Sequence, residues 1–295
     1  MKKKVKCIFT RKLKAPGFSC SPQLPGLHKG YYAYLCLVKL SFLKITFLGT
    51  GTSQGVPLIG CDCEVCLSTD EKDKRLRSSI LIEDQGYVFV IDTGPDFRQQ
   101  MLRENVKRLD AVIFTHEHRD HIAGLDDIRA FNFTMKQAID VYADANVDRA
   151  LRKSLWYIFS EEKYPGIPEV RMHHISGDPF TVGHTKFIPI EVLHHKLPVW
   201  GFRVNSFTYI TDANFISEKE KEKIYGSEVL VLNALRREKH ISHFSLEEAI
   251  TLAEELKPKT TYLTHISHQL GKHEDIEKEL PPHIHLAYDG LKLDL

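Results

Sequence analysis

Six consecutive positions carry three imidazoles and a carboxylate: His116, His118, Asp120 and His121, in the string Thr115-His116-Glu117-His118-Arg119-Asp120-His121. A single His is more often a surface or hydrogen-bonded residue than a ligand. Four ligand-type residues at this spacing are another matter, because burying so many polar rings without a partner is costly. Neutral imidazole and carboxylate suit zinc, manganese or iron. The first two His can supply one metal, and Asp120 with His121 a neighbouring one. Paired metals activate water against a phosphorus or acyl centre.

A second group of ligand type is Cys61-Asp62-Cys63-Glu64-Val65-Cys66. This C-x-C-x-x-C spacing is too tight for an easy disulfide among neighbours and suits thiolate ligation, with a fourth ligand from elsewhere.

The elements that must hold these groups alternate between strand and helix. Ala111 to Thr115 reads as a buried strand that delivers the ligand string, and Ile122 to Phe131 as the helix that follows it. Ahead of them, Lys44 to Gly49 is a strand entering the turn Gly49-Thr50-Gly51-Thr52-Ser53, where the hydroxyls of Thr50 and Ser53 suit turn chemistry. Ser79–Ile82 and Tyr87–Ile91 form a hairpin ending at Asp92-Thr93-Gly94-Pro95, and Asp96 to Glu104 is a helix. Residues 142–174 read as helices and loops. Strands follow at Phe187–Val192, Thr208–Thr211 and Glu228–Leu232, with a helix over Ser217–Tyr225. Ser245 is a good N-cap for a helix over Leu246–Leu256. Thr261–Thr264, Ile284–Tyr288 and Leu291–Leu293 close the chain as strands. His116, His194, Asp212 and His265 each follow a strand, so a shared sheet would bring them to one rim. His194 and His195 are adjacent and would face opposite sides of a strand.

The chain has 295 residues, an ordinary globular composition and a formal net charge of +1, so no global field favours nucleic acid or a membrane surface. No apolar run reaches the length of a membrane span. The lysines at the start are followed by Pro16, Gly17, Pro22 and Pro25 where a signal peptide needs an apolar stretch. The domain is expected over residues 43–295, with residues 1–42 a poorly ordered extension. Cys7, Cys20 and Cys36 complete the six cysteines, which in a reducing compartment are free or metal-bound. The expected location is cytoplasmic, with no membrane partner; a homodimer stays open.

With Asp92-Thr93-Gly94, the H-x-H-x-D-H string, His194, Asp212 and His265 in place, the chain resembles the metallo-β-lactamase fold superfamily from about Leu43 to its end. That resemblance implies an α+β fold, a four-layer αββα sandwich with metals at one edge. It implies one metal on His116, His118 and His194, a second on Asp120, His121 and His265, and Asp212 between them. It selects His194 over His195, with Leu197, Pro198, Gly201 and Phe202 following in the family's order. More narrowly, Gly49-Thr50-Gly51-Thr52-Ser53-Gln54-Gly55-Val56-Pro57, the Cys cluster and Thr264-His265-Ile266-Ser267-His268 are similar to the cyclic phosphodiesterase family of the carbon–phosphorus lyase pathway. This likeness implies a structural zinc on Cys61, Cys63, Cys66 and His268. It leans to manganese in the catalytic pair, though zinc suits the same ligands.

The same family implies that His243 lies near the scissile phosphate, orienting it or protonating the leaving group. Asp120 is the second catalytic residue, a metal ligand able to hold the attacking hydroxide by a hydrogen bond. Asp92 is expected behind the ligands, fixing a ligand His or capping its turn. The leading expectation is a metal-dependent phosphodiesterase acting on a small cyclic or nucleotide-like phosphate ester. The alternatives are a tRNA 3′-processing ribonuclease and an acyl or thioester hydrolase, with a non-catalytic, metal-stabilised protein last. Against the ribonuclease stands the lack of clustered Lys and Arg beyond the first 15 positions.

Overall fold

The computed structural model describes residues 43–162 and 164–295, and the extension expected over residues 1–42, with Cys7, Cys20 and Cys36, lies outside the described residues. The chain first lays down β1 (Lys44–Gly49), β2 (Ser79–Asp84), β3 (Tyr87–Ile91), β4 (Ala111–Ile113), β5 (Ile139–Ala143) and β6 (Val170–His174). It then builds a second sheet from β7 (Phe180–Val182), β8 (Thr185–His194), β9 (Leu197–Val204), β10 (Phe207–Tyr209), β11 (Phe215–Ile216), β12 (Val229–Asn233), β13 (Thr260–Thr264) and β14 (Ile284–Leu286). A last strand, β15 (Lys292–Asp294), returns to the first sheet beside β1. The orders are β15-β1-β2-β3-β4-β5-β6 and β11-β8-β9-β10-β12-β13-β14, with β7 paired to β8. The helices are α1 (Phe97–Arg103), α2 (Arg119–Ile122), α3 (Arg129–Met135), α4 (Ala145–Ser154), α5 (Trp156–Phe159), α6 (Glu218–Ile224), α7 (Leu246–Leu256) and α8 (His273–Glu279).

Period-two alternation stacks these elements in layers. Ile80, Ile82, Phe89, Ile91, Ala111 and Ile113 meet Phe187, Phe202, Phe207, Tyr209 and Val231 between the sheets. The alternate residues Leu81, Val90, Val112 and Val141 face α1, α3, α4 and α5 through Phe97, Met101, Phe131, Leu151 and Ile158. On the far side, Leu230, Leu232 and Leu263 pack on Ile224 of α6, Leu252 and Leu256 of α7 and Ile276 of α8. The result is the αββα sandwich that the resemblance implied. Each fully buried side chain of this size contributes about 1.5–3 kcal/mol of transfer free energy.

Two local expectations are corrected. The helix read over Ile122–Phe131 is broken into α2, a 3-10 turn at Leu125–Ile128, and α3. The cause is close backbone packing. A Cβ on Gly124 would lie 2.1 Å from the Gly94 carbonyl oxygen, and one on Gly94 2.2 Å from that of Asp120. The chain is therefore pulled against the Asp92–Gly94 turn, where Gly124 N–H donates to Thr93 O and Thr93 N–H to His121 O. The stretch 142–174, read as helices and loops, is bounded by β5 and β6, which extend the first sheet in parallel. β9, which pairs with β8 over its whole length, and α8 were also not read from the sequence. No helix among the described residues is long and apolar enough to cross a membrane.

Candidate metal centre

The site forms where strands end side by side. β3 and β4 run parallel, with Ile91 opposite Ile113, so Asp92 and the ligand string leave the first sheet together. β10, β12 and β13 are parallel neighbours, and Asp212 and His265 leave the second sheet at the same rim. His194 closes β8. Ends of parallel strands are where open α/β sheets collect ligands.

Asp92, Asp212 and His265 have left-handed backbones, with φ of 64°, 55° and 56°. Non-glycine residues there carry strain that the surroundings must hold. The Asp212 turn is held by Asn233, whose Oδ1 accepts from Ala213 N–H at 2.8 Å and whose Nδ2 donates to Ala213 O at 3.0 Å. The His265 turn is held by backbone hydrogen bonds from Ile266 to Thr50 O and from Thr52 to Ile266 O.

Asp212 is the hub. Its carboxylate oxygens lie 3.4 Å from His121 Nε2, 3.1 Å from His265 Nδ1, 4.0 Å from His116 Nε2 and 4.0 Å from His243 Nδ1. Ligand-type atoms lie within 4.8 Å of one another in three sets that share it: His116–His121–Asp212, His194–Asp212–His243 and Asp120–Asp212–His265. His118 falls outside these sets and is exposed at the rim, its ring centroid 4.6 Å from that of His116 and 5.0 Å from that of His194. All seven residues expected as ligands are thus gathered at one rim, with His118 the outermost. His195 is exposed in a left-handed turn, whereas His194 is buried and donates from Nδ1 to Ser242 O at 2.8 Å, which turns its Nε2 free.

The donor set fits cations. His116 Nε2 and His121 Nε2 are buried without a hydrogen-bond partner, and His121 Nε2 faces Asp120 Oδ2 at 3.1 Å. Ring nitrogens and carboxylates aimed at one another need a positive charge between them. The site's own electrostatics carry the same imprint. Burial opposes a charge on His121, but Asp212, Asp120 and Asp92 outweigh it and hold its pKa well above the ordinary value. Burial likewise opposes the Asp212 carboxylate, yet His265 and His121 hold it ionised, well below the usual range. Burial pushes His116 well down, and His243 down to about 3, His265 adding to the effect on His243.

Several supporting residues were not singled out from the sequence: Thr115, Ser78, Ser242 and Asn233. Ser78 Oγ lies 3.1 Å from His265 Nδ1. Small polar residues beside ligands carry no pattern of their own; adjacency to His116 was the one available signal, for Thr115.

The cysteine group is equally local. Cys61, Cys63, Cys66 and His268 have their ligand atoms within 4.8 Å of one another. His268 Nδ1 lies 3.4 Å from Cys61 Sγ and 3.3 Å from Cys63 Sγ, and the Leu58 backbone N–H donates to Cys66 Sγ. The bond from His268 draws the Cys63 thiol down to about 6, whereas burial pushes Cys66 up to about 11. One thiolate beside two more sulfurs and an imidazole is a donor set for zinc.

A sandwich of this layering with a His/Asp cluster on its strand-end rim defines a class. The chain belongs to the beta-lactamase superfamily, whose domain matches residues 87–266. Within it, the chain belongs with the PhnP family. It is 42% identical to a diphosphatase of that family, covering 86% of this chain and 98% of the other with a TM-score of 0.81. Among curated proteins it is 40% identical over 253 residues to an octanoyltransferase of Porphyromonas gingivalis, covering 85% of this chain and 51% of that protein. It is 28% identical over 169 residues to a ribonuclease Z of Thermosynechococcus vestitus, covering 55% of this chain and 36% of the relative. The chain therefore spans about half of the length of the first of these curated relatives and about a third of the second. The chain has the metallo-β-lactamase fold, and its described residues include His/Asp and Cys/His groups that could each hold a metal ion.

Proposed function

We propose that this protein is a metal-dependent hydrolase, a phosphodiesterase acting on a small cyclic or nucleotide-like phosphate ester. The observation that carries the reading is the inward set of His116 Nε2, His121 Nε2 and Asp212, all buried, and the half-buried Asp120, with His243 beside it. His116, His118, His194, Asp120, His121, His265 and Asp212 would hold two divalent ions, zinc or manganese. Such ions supply a hydroxide at neutral pH and neutralise phosphoryl oxygens when bound. Asp120, besides serving as a ligand, would hold the attacking water by a hydrogen bond. His243 has its ring centroid 4.6 Å from that of His194 and 4.9 Å from that of His265, and its buried Nδ1 has no hydrogen-bond partner. It is free to bond the phosphoryl group or the leaving oxygen. Cys61, Cys63, Cys66 and His268 would hold a structural zinc. Three thiols in this state suit a reducing, cytoplasmic setting.

The similarity to a diphosphatase supports chemistry at phosphorus. The octanoyltransferase likeness supports an acyl or thioester hydrolase as the second reading, because the same nucleophile attacks carbonyls. The near-neutral charge weighs against tRNA, since gripping phosphates requires clustered Lys and Arg.

Metal-depleted protein reloaded with manganese or zinc should cleave bis-p-nitrophenyl phosphate, then be screened on cyclic phosphates, dinucleotides, pre-tRNA, p-nitrophenyl octanoate and an acyl thioester. Cleavage of phosphodiesters that disappears in Asp120→Ala and His116→Ala is the expected result. Turnover confined to the octanoyl substrates would replace this reading by the second. A loaded protein inert to all of them would leave the metals a purely structural role.

A further inference from the structure

We propose that Thr115 is a positioning residue: its hydroxyl extends the hold of the buried Asp92 carboxylate to His116, so one acid sets the orientation of two ligand rings. The inference rests on the metal-dependent reading above and concerns how this chain prepares that site.

Asp92, Thr115 and His121 are fully buried and His116 is 1% exposed. One Asp92 oxygen accepts the Thr115 backbone N–H at 2.9 Å. The other accepts the Thr115 hydroxyl at 2.8 Å and His121 Nδ1–H at 2.7 Å. A hydroxyl has a single proton, and here it is given to Asp92. The 2.9 Å contact between Thr115 Oγ1 and His116 Nδ1 must then run the other way, with the ring donating. Each ring then carries a proton on Nδ1, and Nε2 is the atom turned toward the cluster. These two Nε2 atoms are the ones left buried without a partner at the centre of the cluster. Among the described residues, the threonine hydroxyl is the link that carries the Asp92 carboxylate to His116, while His121 is reached directly.

The relay is anchored on both sheets. Asp92 N–H donates to Ile113 O, Ser79 Oγ donates to Asp92 O at 2.8 Å, and Trp200 N–H of β9 donates to Thr115 O. Without the hydroxyl, the buried His116 Nδ1 would lose its hydrogen bond to Thr115 Oγ1. The ring would then favour the tautomer that aims a proton, rather than a lone pair, at the metal. Valine has the shape of threonine without the hydroxyl, and serine keeps the hydroxyl with less bulk.

The experiment compares wild type, Thr115→Val and Thr115→Ser in two measurements. The first is cobalt(II) titration against a competing chelator, in which d–d bands of the His/Asp site are resolved from thiolate bands. The second is the ¹⁵N signature of His116 in metal-free protein at about pH 8, above the ordinary His range. Thr115→Val should lower affinity at the His/Asp site by about 10–100-fold, leave the thiolate bands unchanged and move His116 away from the Nδ1–H form; Thr115→Ser should restore both. Wild-type affinity together with an unchanged Nδ1–H signature in Thr115→Val would overturn the proposal. If that variant does not fold, an Nε2–H form of His116 in wild type overturns it equally. Wild type that takes up cobalt only at the thiolate site would refute the hydrolase reading, and the His116 signature would still decide the role of Thr115.

Discussion

His243 offers a sharp test of roles at the level of single side chains. It is buried at the cluster with an unpartnered Nδ1, 4.0 Å from Asp212. Removing its ring leaves the seven proposed ligands in place. His243→Ala should keep both catalytic metals and lose turnover, most strongly on esters with poor leaving groups, where help to the departing oxygen matters most. Metal content by elemental analysis and rates across a leaving-group series would show this. Equal losses on activated and unactivated esters would restrict His243 to orienting the phosphoryl group. The same scale explains why the sequence named Asp92 and passed over Thr115. A carboxylate after a strand is a recognisable signal, whereas a threonine in a strand is ordinary until its hydroxyl is seen between two site residues.

Among the elements, the loop between β1 and β2 does most to join distant parts of the chain. Its cysteines meet His268, and its Thr52 reaches His265, with Oγ1 3.4 Å from Nε2. Cys63→Ser should release about one zinc per chain while leaving the His/Asp metals largely bound, because a site with a lost thiolate binds weakly. Total metal unchanged from wild type would remove the zinc clip from this account. The capping box of α7, with Ser245 and Glu248 exchanging bonds, was legible as a helix start. The split of the helix after His121 was not, because its cause is the approach of Gly124 to Gly94, across a gap in sequence that no local pattern records.

For the molecule as a whole, a buried pair outside the two proposed ligand clusters should set part of the stability toward acid. Arg75 donates to His273 Nδ1 at 3.2 Å, and to Thr50 Oγ1 and Ala287 O, tying the β1–β2 loop to the C-terminal segment. To accept that bond His273 must be neutral. Burial, then Arg75, pushes its pKa from the ordinary 6.5 down to about 4. The unfolded chain therefore takes up a proton near 6.5 that the folded chain refuses until about 4. Stability from this group is present above 6.5, falls as pH drops through that window, and does not fall further below about 4. Urea unfolding of the metal-loaded protein should show wild type losing stability more steeply between these limits than His273→Asn, which keeps an acceptor and cannot titrate. Parallel curves for the two would place the acid sensitivity elsewhere.

The sequence by itself showed the ligand-type residues and most of the strands, and the layers came with the family resemblance that those residues carry. The H-x-H-x-D-H string is contiguous, the apolar alternation has a period that local geometry dictates, and ligand-type residues after strands point to a common rim. Only the tertiary structure decided how those ends meet. It put His118 at the margin and placed β5, β6 and β9 in the sheets, whereas Asp212 between the ligands and His194 rather than His195 were already implied by the resemblance. The reason is physical: ring orientation, left-handed turns and strand partnership are fixed by hydrogen bonds and contacts between segments far apart in the chain, and such contacts leave no period or spacing for a linear reading to find.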